Sequence, residues 1–402
     1  MEQAVSLSET LTMSDAQSIS WDVVVIGAGV AGAVAAREVA RAGHRVLLVD
    51  KRSFPRRKVC GACLNGVALE VLAQIGLSRE IEALDGPRLR GFAVHCGSRS
   101  VKLSLPEGLA ISREALDATL VRAAVEAGVA FLPNSVARVG EDDPSRRFVR
   151  LTQNGREICL DARAIVVASG LEGLGLPDSN EWRTRVGTSS RVGAGCVIDD
   201  ASADYAPGTI WMAVGAGGYA GLVRVEDGRL NIAAAFDRKF LRRHGSPATA
   251  TQQLLEASQF PVPRQLLSAD WQGTVALTRD TVPVASRRVF LIGDAASYVE
   301  PFTGEGMAWA LLSGQHVARW VGQSLAQSNW SPDIADGWNG EHRRLVQRRQ
   351  RFCRVSMWLL RSPMLIKVGL SALASWPWLA RQIIERVNVR NDQGRLAYEC
   401  KS

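Results

Sequence analysis

Residues 22–36 read DVVVIGAGVAGAVAA, and residues 45–50 read RVLLVD. Asp22 to Ile26 is a short apolar, β-branched run, the pattern of a buried strand. It runs into Gly27-Ala28-Gly29-Val30-Ala31-Gly32, a G-x-G-x-x-G sequence. An alanine-rich stretch of good helix formers follows to Ala42, and Gly43 stands where a helix C-terminal glycine would. Arg45 to Val49 reads as a second apolar strand, and it ends on Asp50.

Each part of this stretch has a physical task. Gly27 permits the tight strand-to-helix turn, and Gly29 lets the backbone approach a pyrophosphate. Gly32, with Ala36 one turn later, lets the helix pack hard on a sheet. The helix N-terminus offers free N–H groups and the positive end of its dipole to phosphates. Asp50 follows Gly32 by 18 residues, where a carboxylate can accept from ribose hydroxyls. A lone G-x-G-x-x-G is weak, but strand, helix, second strand and acid together specify an adenine dinucleotide site. At this point FAD and NAD(P) both remain open.

Composition sets the outer bounds. The 402 residues suffice for two or three domains with sizeable cores. Hydrophobic content of 47% and charged content of 22% are those of an ordinary globular chain. The net charge of +8 would suit nucleic acid, an anionic membrane or a solvated arginine-rich face. No basic run with interleaved aromatics occurs, so no nucleic-acid partner is expected. Residues 1–20 are polar and rich in Ser and Thr, which predicts a disordered N-terminal tail rather than a signal peptide. No long uncharged apolar run predicts a transmembrane helix. Seven cysteines without framework spacing fit a reducing cytoplasm.

Along the chain, residues 51–66 (KRSFPRRKVCGACLNG) read as a loop and Val67–Ile75 as a short helix. Residues 88–105 alternate around a Gly97-Ser98 turn, the pattern of a β-hairpin in another layer. Ser112 is a good N-cap for a helix with an apolar face from Ala115 to Ala124, ending before Gly128. Val129–Leu132 reads as a strand, 136–161 as further strands, and Ala164–Ala168 as a separate buried strand. Residues 187–236 read as successive antiparallel strands, 247–268 as helical, Arg288–Ile292 as a strand, and Gly306–Leu325 as an apolar helix.

A second constellation lies at 290–314, FLIGDAASYVEPFTGEGMAWALLSG. Its physical reading is a strand, a tight turn at Gly293, a carboxylate at Asp294, and a second helix start near Gly304–Gly306. An acid there can bind ribityl or ribose hydroxyls, and helix-end N–H groups can face an electron-rich ring edge. A plain NAD site needs no second nucleotide contact so far downstream, whereas the longer FAD does. FAD is therefore the cofactor expected.

These two stretches together resemble the FAD-binding fingerprints of the para-hydroxybenzoate hydroxylase superfamily. Within it, FPRRKVCGACLNG, ISREALDATL and PFTGEGMAWALLSG are most similar to the geranylgeranyl reductase-like branch. The resemblance implies an α/β fold: a glutathione-reductase-type, Rossmann-like FAD-binding domain interrupted by an antiparallel β-sheet substrate domain, plus C-terminal helices. The expected division is 21–85, 110–175 and 276–335 for the discontinuous FAD-binding domain, 86–109 and 176–275 for the substrate domain, and 336–402 for the helical region.

By the same resemblance Gly27, Gly29, Gly32, Asp50 and Lys51 serve the ADP part, and Arg113 lies near the pyrophosphate or ribityl chain. Gly293 and Asp294 serve the ribityl hydroxyls. Pro301, Thr303, Gly304, Gly306 and Met307 line the flavin N1/O2 edge. Lys58, Val59, Cys60 and Gly61 lie on the flavin side that faces substrate. Where the hydroxylases carry Asp-Gly, this chain has Ser169-Gly170, which puts direct NADPH reduction in question; the electron source is NAD(P)H or a reduced protein donor. The reductases' aromatic-rich stretch survives only as its beginning, at Gly218-Tyr219, and the halogenases' tryptophan-rich motif is absent.

Cys60 and Cys63 form C-x-x-C, but no second pair stands at zinc spacing, so no metal site is expected. A small-residue loop beside the flavin is preferred to a redox disulfide. His95 reads as a satisfied histidine more readily than as a substrate group. Cys60, Tyr219 and Tyr298 are the substrate-side candidates. Arginines from Arg343 to Arg354 precede an apolar run with Trp358, Trp376 and Trp378. That segment, 343–380, is either a helical cap over the substrate or a peripheral contact with the inner face of an anionic membrane. Both favour an apolar substrate.

The expected activity is FAD-dependent hydride transfer to or from a carbon–carbon double bond of an isoprenoid, polyketide or aromatic molecule. The alternative is hydroxylation through a flavin hydroperoxide; a flavin-holding scaffold without turnover is a third reading. The chain is expected to be a monomer or weak dimer.

Overall fold

The computed structural model describes residues 7–143, 145–173, 175–176, 181–300, 302, 304–359, 361–376, 378 and 382. A mainly parallel sheet carries the dinucleotide turn. Its parallel strands stand in the order Val289–Leu291, Arg156–Val167, Trp21–Ile26, Val46–Val49 and Ala130–Leu132. Val24 sits between Ile165 and Leu47, and the three side chains are fully buried. Near-continuous Val, Ile and Leu runs are what strands covered on both faces require.

Arg156–Val167 is one strand of 12 residues, not the two expected. Its first half pairs antiparallel with Arg147–Gln153, in a hairpin that ends in Val136–Asp142; its second half runs parallel to Trp21–Ile26. The alternating first half and the second half, whose last four residues are all buried, have different neighbours, which is why the sequence reads as two elements.

Two helices lie side by side on this sheet. Val30–Arg41 follows the first strand, and Gly306–Ala326 follows the second constellation. A Cβ at Gly314 would stand 2.5 Å from the Ala31 carbonyl oxygen, so the helices touch through backbone. This contact brings together fingerprints some 260 residues apart in sequence.

A second, seven-stranded sheet is largely antiparallel. Its order is Gln272–Ala276, Val192–Ile198, Leu230–Phe236, Gly218–Arg224, Thr209–Gly215, Gly91–Cys96 and Arg99–Ser104. The expected hairpin at 88–105 forms its edge, joined parallel to Thr209–Gly215. Arg183–Val186, Arg279–Val282 and Ser297–Tyr298 make a separate three-stranded sheet.

Two further expectations change. Residues 7–20 are not a disordered tail: Met13–Ser18 is a helix with a Thr12–Asp15 capping box, and Met13 and Ala16 are buried. Residues 247–268 are helical only over Pro247–Ala257, because Pro261 and Pro263 lie in the following turns and Gln259 has φ +57°. Arg238–His244, not foreseen, is a short helix before it. After the long helix come Pro332–His342, a π-helical turn at Arg343–Gln347, Arg348–Leu359 and Pro363–Ser375. The last of these packs over Arg99–Ser104 and the mouth between the two sheets.

Candidate functional site

The dinucleotide turn is shaped by contacts that exclude side chains. Gly27 has φ +103°, and a Cβ there would fall 2.4 Å from the Ala168 carbonyl oxygen. A Cβ at Gly32 would fall 1.8 Å from the Gly27 oxygen. Gly29 is the N-cap of Val30–Arg41, and in front of it stand two guanidiniums: its Cβ would be 3.4 Å from both Arg56 Nη2 and Arg113 Nη2. The helix N-terminus and two cations thus form a cradle for an anion.

A carboxylate network holds the cradle. Asp50 Oδ2 accepts from Ala28 N at 2.8 Å and Oδ1 from Arg52 N at 2.9 Å, with Arg56 at 3.5 Å. Arg113 opens the helix Arg113–Glu126, which Ser112 caps. It donates twice to fully buried Asp117, at 2.8 and 2.7 Å, and Arg56 reaches the same carboxylate at 3.3 Å. Burial disfavours the Asp117 charge, but Arg113 and Arg56 outweigh it and hold the carboxyl below the usual aspartate range. Arg56 and Asp117 escaped sequence reading; the i,i+4 spacing of Arg113 and Asp117 was the available signal.

The second constellation meets this turn from the other side. Gly293 N donates to Ser313 Oγ at 3.1 Å, which ties the Gly293–Ala295 turn to the long helix. Asp294 faces Lys58 at 3.6 Å, and burial pushes the Lys58 ammonium pKa down against the pull of Asp294. Gly306 and Met307 begin the helix, whose first N–H groups lack a side-chain cap, and Gly304 stands beside Cys63. Lys51 pairs with Glu172 at the rim. Pro301 and Thr303 lie outside the described residues.

One cavity of about 1260 Å³ joins these parts. It runs from Gly27, Gly29, Asp50 and Arg113, past Lys58, Cys60, Gly61, Asp294, Gly304, Gly306 and Met307, into a largely apolar chamber. Phe92 and Met212 wall the chamber on the sheet side, and Ile366, Leu370 and Leu373 of Pro363–Ser375 close it from above. Tyr219, Tyr298 and Glu300 are its polar groups at the inner wall.

Cys60 and Cys63 are both free thiols. Cys63 donates to Gly61 O at 2.9 Å, and burial beside Cys60 pushes its pKa far up, the opposite of an activated redox thiol. His95 lies outside the cavity, stacked 4.1 Å from Phe260 with its Nδ1 3.2 Å from Ser258 O. Among the described residues no acidic, histidine and cysteine cluster could hold a metal. Glu300 and Arg191, both buried beside Tyr219, were missed because no local pattern distinguishes them from ordinary charged residues.

The cavity fits FAD on its own geometry. Both fingerprints line the same space, the cradle before Gly29 suits a pyrophosphate, and Ser169 Oγ on the wall is buried without a partner. The FAD binding domain family matches residues 20–320. The menaquinone reductase of Mycobacterium tuberculosis is 30% identical over 335 residues, covering 79% of this chain and 80% of that protein. The digeranylgeranylglycerophospholipid reductase of Thermoplasma volcanium is 22% identical over 348 residues, covering 82% and 84%. A geranylgeranyl bacteriochlorophyll reductase-like structure from Thermoplasma acidophilum superposes with a TM-score of 0.73 at 18% identity, covering 92% and 96%. The chain belongs to the FAD binding domain family, in the geranylgeranyl reductase-like branch of the para-hydroxybenzoate hydroxylase superfamily, and is an FAD-dependent oxidoreductase.

Proposed function

We propose that this enzyme reduces a carbon–carbon double bond in a long apolar molecule of isoprenoid type, such as the tail of a quinone or a glycerolipid. One observation carries the reading: the cofactor cavity continues without a break into a chamber walled by Phe92, Met212, Ile366 and Leu370. Such a chamber recognises an apolar chain by shape and burial rather than by hydrogen bonds. The names of the reductases to which the chain is similar point the same way.

Bound FAD supplies two-electron chemistry, storing a hydride and delivering it to a carbon. The residues divide the work of holding it. Gly27, Gly29 and Gly32 admit the pyrophosphate, with Arg56 and Arg113 facing its charge. Asp50 serves the ribose and Asp294 the ribityl chain. With FAD bound, the N-terminus of Gly306–Ala326 would offer its free N–H groups to the electron-rich edge of the ring. Lys58, Cys60 and Gly61 close the substrate side, and Ile366 and Leu370 exclude water. Electrons come from NAD(P)H or from a reduced protein donor.

The helix over the chamber has a second face. At the cavity rim Leu365 and Val368 are exposed, Val368 by 65%, and so are Trp376 and Trp378 just past the end of the helix, with Lys367 nearby. We assign this face to a lipid surface, from which an apolar substrate enters. No described helix is long and apolar enough to cross a membrane.

The deciding experiment loads the protein with FAD, reduces it without oxygen, and supplies either a menaquinone or a geranylgeranyl glycerolipid. Product in which one tail double bond has become saturated, with two hydrogens gained at carbon, supports the reading; a quinol with its tail unchanged does not. Product gaining one oxygen, formed only when air is admitted, replaces it with the hydroxylase alternative.

A further inference from the structure

We propose that Met212 is the gate of the substrate chamber: its side chain sets which apolar chain passes from the helix-covered compartment to the flavin. The proposal rests on the apolar-chain reading above and adds to it a residue that selects among such chains.

One wall of the cavity is a row of residues in register across five strands. Val101 stands opposite Val94, Val94 beside Met212, Met212 opposite Gly221, and Gly221 opposite Ala233. All five line the cavity. At ordinary strand spacing the row is about 19 Å long. Its bulk changes abruptly in the middle. Two valines and a methionine occupy one half, a glycine and an alanine the other. The cavity is therefore shallow on one side of Met212 and deep on the other.

The two halves have different neighbours. Ile366 and Leu370 of Pro363–Ser375 pack into one apolar cluster with Val94, Val101 and Met212. The small half adjoins the flavin-facing loop. Asn231, two residues before Ala233 on its strand, donates from Nδ2 to Cys60 O at 2.9 Å. Gly195 pairs with Ala233, and a Cβ at Gly195 would stand 3.3 Å from Val59 Cγ1. Met212 marks the boundary between the compartment under the helix and the compartment beside the cofactor loop.

The contacts at this boundary are close. The Met212 side chain leans over its glycine partner: a Cβ at Gly221 would stand 3.1 Å from Met212 Cε and 3.6 Å from Sδ. The Phe302 ring meets Phe92 edge-on at 6.0 Å and Tyr219 edge-on at 5.2 Å. Phe92 and Tyr219 lie on the two strands that flank Thr209–Gly215, so Phe302 bridges across the strand of Met212. Phe302 belongs to the second fingerprint, between Glu300 and Gly304, which ties this crossing to the cofactor loop.

Methionine suits a gate. Its side chain is unbranched and soft, and it clears or fills a gap by rotation about single bonds without moving the strand. Gly221 leaves the berth in which its end lies. In an apolar site one methylene too many or too few shifts selectivity about tenfold or more, so the bulk at position 212 decides which chain is accepted.

The experiment titrates the oxidised, FAD-loaded protein with geraniol and with the longer geranylgeraniol, following heat and the flavin absorbance band. In the wild type geranylgeraniol binds and shifts the band, because the chain reaches the flavin. Met212→Trp, verified for flavin content, fills the crossing. It is expected to bind geranylgeraniol about tenfold or more weakly and to lose the band shift, while geraniol affinity changes by less than about threefold. If Met212→Trp does not hold FAD, Gly221→Val decides in its place. Its side chain pushes the Met212 end into the crossing from the neighbouring strand, with the same expected results. A variant that keeps both the affinity and the shift overturns the proposal. So does an equal loss for both alcohols, which marks a damaged chamber rather than a gate, and so does a wild type that binds neither. A wild type that binds geranylgeraniol with the shift, loses both in the variant, and yet saturates no double bond once reduced overturns the reductase reading and leaves the gate standing.

Discussion

At the Gly27–Gly29 end of the cavity the wall is backbone and charge: a glycine turn, Asp50, Arg113 and buried Asp117 locked by bonds of 2.7–2.9 Å, with Arg56 at 3.3 and 3.5 Å. At the Met212–Leu370 end the wall is mostly apolar side chain, with Arg191 bound to Glu300 as a polar contact there. The first end recognises a ligand of fixed chemistry, so its geometry tolerates little change. The second would take the flexible apolar chain of the proposed substrate, and hydrophobic volumes can be exchanged there at modest cost. The difference predicts how substitutions should grade across the molecule.

Gly32→Val should have the largest effect. Its Cβ would fall 1.8 Å from the Gly27 oxygen, so strand and helix must separate. We expect a destabilisation of about 4 kcal/mol or more and no retained flavin, measured by chemical denaturation and by absorbance of the purified protein. A normally stable, yellow variant would break the claim that this end is rigid.

Asp117→Asn comes next. It leaves two buried guanidiniums without their counter-ion and should cost about 3 kcal/mol, with weaker FAD binding by titration calorimetry. The pH dependence sharpens this. The folded-state pKa of Asp117 is depressed, so its stabilisation is full above the unfolded value and is lost as pH falls through the folded value. The gap between wild type and variant should therefore narrow in acid; a gap constant with pH would place the interaction elsewhere.

Leu370→Ala, in the apolar end, should cost about 2 kcal/mol and raise KM for the lipid substrate several-fold with less change in kcat. If it removes flavin as Asp117→Asn does, the two ends are one unit and the contrast fails. The smallest effect on stability is expected from Val368→Ser on the outer face of the same helix, within about 0.5 kcal/mol. Co-sedimentation with anionic vesicles should nonetheless fall, and unchanged binding would remove the lipid-facing assignment.

The legible parts of the site share a cause. Gly27, Gly29, Gly32, Asp50, Gly293 and Asp294 stand in short motifs because each is required by local backbone geometry, and local geometry is written in adjacent residues. Ser112 was readable as a cap for the same reason. The strand Arg156–Val167 was read as two, since its halves have different neighbours that no local pattern names. Residues 1–20 were read as disordered from their polarity, yet within that stretch Leu7 bridges Phe54, and Thr10 Oγ1 accepts from Phe131 N at 2.7 Å.

By itself, then, the sequence determined the dinucleotide turn, its acid, the second flavin fingerprint and the helix that follows it, because steric and dipolar demands act over a few residues. Tertiary structure alone decided that Gly314 would press against Ala31 and join the two fingerprints. It decided that Arg56 would meet Asp117, and that Arg191, Tyr219 and Glu300 would converge on an apolar chamber. These pairings depend on distances across the folded chain: burial is a property of the assembled core, and a charge buried within it acquires its partner and its proton affinity only there.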